Sequence, residues 1–327
     1  MPPEGWTDRF RRKSKFQPDP AAQSAAQVPD GVATKCVKCG EILFTKDFEK
    51  NLKVCPVCGF HHKLTALERV AFTADDGSWT ELFTTLRSSN PLPFEDYEAK
   101  LAKAVGATKT NDSFRVGLAK ILGTPVVLGV ADFHFMAGSM GSVHGEKVAR
   151  AMEEGIKRRL PVVIFTATGG GARMQEGVLS LMQMAKTAAA AARLAEAKLP
   201  YLVVMTDSTM AGVLASYASL GDVHLAEPGA LIGFAGARVV AQATVQKPPE
   251  DYQTAEWQMA HGHIDAVVPR RDLPQTLSTL LSLLAPASAD VPLHVPKRLH
   301  VPKLSNGNGT YASAPLVPSA ATGDTHG

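Results

Sequence analysis

The sequence predicts an α/β fold with a small metal-held module before it, and three observations carry that expectation. Residues 161–165 and 201–205 are short apolar runs; each leads into a turn of small residues and then a helix-like stretch. A third unit of the same kind joins residues 126–135 to the small-residue loop 137–145 and a following helix. All four cysteines fall between positions 36 and 58.

The repeated strand–turn–helix units carry chemistry. The first central turn reads Thr168-Gly-Gly-Gly-Ala-Arg-Met-Gln-Glu176, and the second reads Asp207-Ser-Thr-Met-Ala-Gly212. A helix start leaves backbone N–H groups without partners, and the macrodipole adds partial positive charge there. Small residues let a ligand oxygen reach those groups. Two such turns together can hold oxyanions. The competing reading is that the glycines only make tight turns.

Composition sets bounds. The chain has 327 residues, room for one large domain and a small module. It is 45% hydrophobic and 20% charged, as in an ordinary globular protein. A net charge of +3 does not by itself imply a nucleic-acid partner. No apolar run reaches the ~18 residues of a membrane span. The basic cluster Arg9, Arg11, Arg12, Lys13 and Lys15 has no apolar stretch after it, so it is no secretory signal. The expected location is the cytoplasm.

In chain order, residues 1–30 lack periodicity and read as a disordered basic tail. Residues 31–63 hold Cys36-x2-Cys39-x15-Cys55-x2-Cys58, with Gly40 and Gly59 directly after each pair. Four thiolates at this spacing make a zinc ribbon with no open coordination position, so its role is structural. Residues 41–44 and 52–54 are expected to be its strands. His61 and His62 are expected at the surface or the site edge, not as ligands.

Residues 64–285 form the main domain. Thr65-Ala-Leu-Glu68 is a capping box, predicting a helix to residue 71. A second charged helix is expected over 93–105. Residues 115–122 and 126–135 predict a hairpin about Gly123. A helix is expected to open from the 137–145 loop and run to about 159, with further helices over 176–198, 213–220, 254–261 and 272–284, and short strands over 230–234 and 262–268. An element is also expected over 235–246. Residues 286–327 read as a second disordered tail. The loops lack the Gly-Lys-Ser/Thr of a phosphate-binding loop and a convincing dinucleotide fingerprint.

These motifs resemble the β subunit of the bacterial acetyl-CoA carboxylase carboxyltransferase. The matching stretches are the cysteine ribbon, Gly138-Ser-Met-Gly-Ser-Val143, Gly170-Gly-Ala-Arg-Met-Gln-Glu176, Ser180-Leu-Met-Gln-Met-Ala-Lys186, Leu220-Gly-Asp222, Ala226-Glu-Pro228 and Leu231-Ile-Gly-Phe-Ala-Gly236. The resemblance spans about residues 31–270. It implies a crotonase-like (ClpP-type) superhelix of ββα units. It implies transfer of a carboxyl group from carboxybiotin, on a separate carrier protein, to acetyl-CoA, giving malonyl-CoA for fatty acid biosynthesis. Implied partners are an α subunit in an α2β2 complex, the biotin carboxyl carrier protein and a biotin carboxylase.

The resemblance places oxyanion donors at the backbone of Gly170, Gly171, Ala172, Ala211 and Gly212. Substrate contacts are expected from Gly138, Ser139, Met140, Gly141, Arg173 and Met210, with Arg173–Glu176 pairing as the alternative for that arginine. Met174, Met182 and Met184 are expected in the core. His134 and His144 are expected to pack or face solvent. The basic residues between 147 and 159 are expected to meet coenzyme A phosphates or line a solvated helix face. Asp207 is expected to cap its turn. Two departures stand out: an extra residue in the first glycine turn, and Ala211 where the family has glycine. They motivate a second reading, a relative acting on another acyl-CoA or decarboxylating malonyl thioesters. A third reading, ranked last on charge, is a zinc-ribbon nucleic-acid-binding regulator with an inactive carboxyltransferase fold.

Overall fold

The computed structural model describes residues 32–236, 239, 240, 242 and 248–284. Both expected tails, and much of the element expected over 235–246, lie outside the described residues.

The ribbon comes first. Strands β1 (Ala33–Lys35) and β2 (Ile42–Phe44) pair antiparallel. Helix α1 (Thr45–Lys50) follows, an element the sequence reading did not anticipate. The strand expected over 52–54 is a turn. Leu52 and Lys53 take left-handed φ values of 55° and 56°, and only Val54 pairs, as a single bridge to His61. The physical reason is closure: the chain must reverse there to bring Cys55 back to Cys39.

The main domain is a three-layer α/β structure. Helix α2 (Ala66–Thr73) starts at the Thr65–Glu68 capping box, complete in both directions. Strand β3 (Thr80–Leu82), which the sequence reading missed, forms one sheet edge. Helix α3 (Tyr97–Thr108) starts four residues later than expected. Asn90 turns residues 90–94 on themselves, its Oδ1 accepting from the Phe94 N–H at 2.9 Å. Strands β4 (Phe114–Ile121) and β5 (Thr124–Ala131) form the expected hairpin, turning at Leu122 and Gly123 with φ of 45° and 85°.

From β5 onward the sheet is parallel. Helix α4 (Ser142–Arg158) leads to β6 (Val162–Thr168), then α5 (Gly177–Glu196) to β7 (Tyr201–Met210). Helix α6 (Ala211–Leu214) is one turn only, followed by a 3-10 turn at Tyr217–Ser219, not the longer helix expected. Ser216 Oγ donates to the Gly212 carbonyl at 2.6 Å, and a hydroxyl bonded to the backbone in this way competes with helix continuation. Strands β8 (Val223–Ala226) and β9 (Ile232–Gly233) both join β7 in parallel, β8 unanticipated. Helix α7 (Ala255–Ala260), capped by Thr254, precedes β10 (Ala266–Val267) and α8 (Leu273–Leu284).

The sheet runs β10-β8-β7-β6-β5-β4-β3. One face buries Val127, Ile164 and Val203 against Met152 of α4 and Leu194 of α5. The other buries Leu128, Phe165 and Val204 against Val70 of α2 and Leu277 and Leu281 of α8. With both faces covered, the central strands read as unbroken apolar runs. Their C-terminal ends open into the glycine turns, the usual ligand edge of a parallel sheet.

Candidate functional site

Metal centre. The four cysteine Sγ atoms lie within 4.8 Å of one another, with Cys36–Cys58 and Cys39–Cys55 each at 3.8 Å. A tetrahedral zinc with sulfur ligands at about 2.3 Å needs Sγ–Sγ edges of about 3.8 Å. The residues therefore fit a closed, structural Zn2+ site. Gly40 and Gly59 take φ of 78° and 70°, and their N–H groups donate to the Cys36 and Cys55 carbonyls at 2.9 Å. The N–H groups of Glu41 and Phe60, one residue on, face the sulfurs of Cys39 and Cys58.

Neither histidine of the ribbon is a surface residue. His61 is buried, and burial lowers its pKa. The His62 ring sits edge-on to Phe48 and Phe60. The ribbon is fastened to the main domain by Arg270, whose guanidinium donates to the carbonyls of Leu52 (2.6 Å) and His62 (2.9 Å). Arg270 and Arg69 both pair with buried Glu227, at 2.8 and 2.7 Å. Burial pushes the Glu227 carboxyl up, but the two arginines outweigh it and hold it at about 2.

The two central turns meet. A Cβ on Gly171 would lie 2.5 Å from the Gly212 nitrogen and 2.7 Å from Ala211 Cβ, so only glycine allows this approach. Gly171 has φ of 66°, and Ala211, where the family has glycine, carries a left-handed φ of 51°. The proposed donors do not all serve alike. The Gly171 N–H is spent on Thr168 Oγ1 at 3.2 Å. The Ala172 N–H has no hydrogen-bond partner among the described residues. Gly170 is exposed, with nothing within 4 Å of an added Cβ.

Turn one hangs from a buried ionic network. Arg173 is fully buried. Its Nη atoms hold the two Asp112 oxygens at 2.8 and 2.9 Å and the Ser139 carbonyl at 2.8 Å. Glu176 accepts from Ser142 Oγ (2.5 Å), Ser88 Oγ (2.6 Å) and Tyr97 Oη (2.5 Å). The backbone closes the unit: Met140 donates to the Gly171 carbonyl at 2.7 Å, and Arg173 donates to the Met140 carbonyl at 2.8 Å.

The residues expected to contact substrate sit as follows. The Arg173 side chain is occupied by protein groups and positions loop 138–141. Met140 is fully buried in the core. Gly138 is pressed on the Ala167 carbonyl, and Gly141 on Arg173 and Glu176. Of that loop, Ser139 lines open space. Met210 ends β7 half-buried and lines none of the cavities described. Met174 and Met182, expected in the core, are 72% and 56% exposed; Met184 packs against it.

His144 is buried between Ser113 Oγ (2.9 Å) and Tyr217 Oη (2.8 Å), and burial pushes its pKa down to about 3. Half-exposed His134 pairs with Asp132 at 3.1 Å. Lys147 is buried and donates to the Phe114 carbonyl, while Arg150 and Arg158 pair with Glu146 and Glu154. Asp207 caps no helix; it lies within β7 and accepts from Lys63.

Turn two hangs from hydroxyls. Thr206 Oγ1 donates to the Thr166 carbonyl (2.6 Å), and Ser208 Oγ donates to the Thr168 carbonyl (3.0 Å). Thr209 Oγ1 meets Thr166 Oγ1 at 2.7 Å. A cavity of about 520 Å3 opens beside turn one, bounded by Gly170, Ala172, Ser139 and His134, with Lys100 and Lys103 of α3 along one wall. The sequence reading found no site residues on α3. Its lysines come near the turn only through tertiary packing, and the one available signal was the charged face of an amphipathic helix.

A mixed sheet whose parallel part carries paired, glycine-bearing backbone turns at its C-terminal edge fits a crotonase-like carboxyltransferase, and the family matches place the chain in that class. Residues 61–268 match the carboxyl transferase domain family, and residues 34–58 match the acetyl-CoA carboxylase zinc finger domain. The chain is 54% identical over 256 residues to acetyl-coenzyme A carboxylase carboxyl transferase subunit beta of Desulforamulus reducens, covering 78% of this chain and 88% of that one. It is 51% identical over 276 residues to the same subunit of Pelotomaculum thermopropionicum, covering 84% and 97%. Among solved structures it resembles transcarboxylase 12S, with a TM-score of 0.60 at 25% identity over 72% of this chain and 43% of that one. A Pseudomonas malonate decarboxylase hetero-dimer shares the fold, with a TM-score of 0.54 at 24% identity over 68% of this chain and 88% of that one. The chain belongs to the family of acetyl-CoA carboxylase carboxyl transferase β subunits. Among the described residues, no helix is long and apolar enough to cross a membrane.

Proposed function

We propose that the meeting point of residues 170–172 and 211–212 is the oxyanion site of an acetyl-CoA carboxylase carboxyltransferase. The chain acts as its β subunit, transferring a carboxyl group to acetyl-CoA to give malonyl-CoA. The observation that carries this reading is the contact of Gly171 with Ala211 and Gly212, which sets two backbone turns side by side.

Carboxybiotin, delivered on a carrier protein, supplies the CO2 and the base. This chain's task is to hold the thioester as its α-carbon loses a proton and its carbonyl oxygen gains charge. Backbone donors fixed by their surroundings need no reorganisation at that moment. The Ala172 N–H, without a partner in the chain, is the first such donor. The short helix α6 presents a second set of N–H groups, since its first turn has no preceding helical carbonyls. No side-chain base is required, which accords with the buried state of His144. Lys100 and Lys103 supply positive charge for the phosphates of the acyl-CoA. An α subunit in an α2β2 complex, the biotin carrier and a biotin carboxylase complete the assembly, which is placed in the cytoplasm.

The test is malonyl-CoA:biocytin carboxyl exchange by the chain with a matching α subunit. Activity dependent on the partner is the expected result. Gly171→Ala should lower exchange by ~10²–10³-fold, the usual loss for one oxyanion donor, because its methyl would displace turn two. Unchanged exchange in that variant would sink the assignment.

A further inference from the structure

Lys63 is the last residue of the ribbon, and its side chain reaches the main domain. Its backbone is set by its neighbours: the His62 carbonyl is held by Arg270, and His61 bridges to Val54. Its Nζ donates to Asp207 twice, to the carboxylate at 2.6 Å and to the backbone carbonyl at 3.0 Å. Asp207 lies in β7, four residues before Ala211, and its other oxygen accepts from the Leu231 N–H at 3.3 Å. The same Nζ sits 4.2 Å from the centre of the Phe133 ring. That ring lies under turn one, since a Cβ on Gly169 would meet it at 3.2 Å.

One ammonium group thus touches the support of both turns. A surface ion pair alone is worth little. Here the lysine and aspartate side chains are only 31% and 19% exposed, and a main-chain carbonyl and an aromatic face share the same cation. A cation over a ring face adds attraction that is stronger away from water. A flexible lysine fixed by three partners acts as a spacer between them.

We infer that Lys63 is a positioning residue that couples the seating of the zinc ribbon to the alignment of the two oxyanion turns. It touches no substrate in this role. It sets the distance between β7 at Asp207 and the Phe133–Gly169 stack, with the ribbon as its anchor. The inference rests on the oxyanion reading above for its effect on turnover, but not for its effect on the turns themselves.

The experiment compares Lys63→Met, Lys63→Arg and Phe133→Leu with the unaltered chain, each zinc-loaded and complexed with the α subunit. Two readouts are taken: exchange kinetics with malonyl-CoA, and hydrogen–deuterium exchange of residues 168–172 and 207–214. Lys63→Met should lower kcat by ~10-fold, the order expected for a sub-ångström misalignment, with KM within about twofold and zinc content unchanged. Lys63→Arg should restore most of the loss, and Phe133→Leu should reproduce part of it. Both segments should exchange faster in Lys63→Met. Unchanged exchange of both segments in Lys63→Met and Phe133→Leu would overturn the coupling whatever the kinetics. A kcat loss that appears only with loss of zinc, unrescued by arginine, would overturn it too. An inactive unaltered complex would instead defeat the oxyanion reading, while the hydrogen-exchange result would still decide the role of Lys63.

Discussion

Turn one and turn two sit within a methyl group of each other, yet their supports differ in kind. Turn one is tied by full charges: Arg173, Asp112 and Glu176, all buried. Turn two is tied by hydroxyls of Thr206, Ser208 and Thr209 and by the half-buried Lys63–Asp207 pair. Charges with exact partners fix geometry but are intolerant of loss, because a removed partner strands a buried ion. Hydroxyl bonds are each worth about 1 kcal/mol net and can be lost singly. The site therefore has one brittle wall and one forgiving wall.

The largest expected effect tests the brittle wall. Arg173→Met keeps roughly the volume and strands the buried Asp112 carboxylate, so stability should fall by about 3–5 kcal/mol. Denaturant unfolding measures it. A loss under about 1 kcal/mol would erase the contrast, since that is the scale of one hydroxyl bond.

Acid should separate the walls next. Burial pushes the His144 pKa down from 6.5 to about 3, so the fold holds it neutral while an unfolded chain would protonate it. A depressed pKa stabilises fully above the ordinary value and loses that contribution as pH falls towards the folded value. The loss should begin near pH 6.5 and reach on the order of 2 kcal/mol by about pH 5. The carboxyls of Asp112 and Glu176 follow. Burial pushes both up, but Arg173 for the first and Ser142, Ser88 and Tyr97 for the second hold them below their ordinary 3.8 and 4.5, so their share disappears as pH falls through and below those values. The hydroxyls of turn two do not titrate. Tm measured from pH 7.5 to 5 should fall, and His144→Asn should flatten that slope; an unflattened slope would remove His144 as its source.

Smaller effects sharpen the forgiving wall. Thr209→Val removes two hydroxyl bonds, to Thr166 Oγ1 and to the Thr206 carbonyl, and should cost about 2 kcal/mol in the same unfolding assay. Ala211→Gly should come out slightly stabilising, by about a few tenths of a kcal/mol. It relieves the left-handed φ of 51°, worth about 1 kcal/mol, against the larger chain entropy of glycine. A loss of 1 kcal/mol or more would mean that the methyl of Ala211 packs usefully against Gly171.

The sequence exposed whatever is local. The cysteine spacing, the Thr65–Glu68 box, the hairpin at Gly123 and the apolar runs of β6 and β7 each depend on neighbours within a few residues. So the metal centre and the two turns are legible in the sequence itself. The partners of Arg173 are not. Asp112 lies 61 residues away and Tyr97 76, and nothing local marks them as its counter-groups. Lys63 and Asp207, 144 residues apart, escaped for the same reason. The methionines misled differently. Their apolar character suggested core, but Met174 and Met182 lie on an exposed face, which composition cannot distinguish from a buried one. β8 was missed because it is only four residues long and His224 interrupts the apolar run that marks its neighbours.

The fastening by Arg270 has a bearing on how the chain is made. The ribbon leaves the ribosome before the main domain, and at ordinary synthesis rates the residue that seats it follows tens of seconds later. Arg270 stands 218 residues after Leu52 and 208 after His62. A nascent chain therefore lacks the Arg270 clasp until nearly all of the sheet exists, while the Lys53–Glu68 pair to α2 can form early. The Arg270 clasp is therefore a contact made late in synthesis, after most of the domain has emerged.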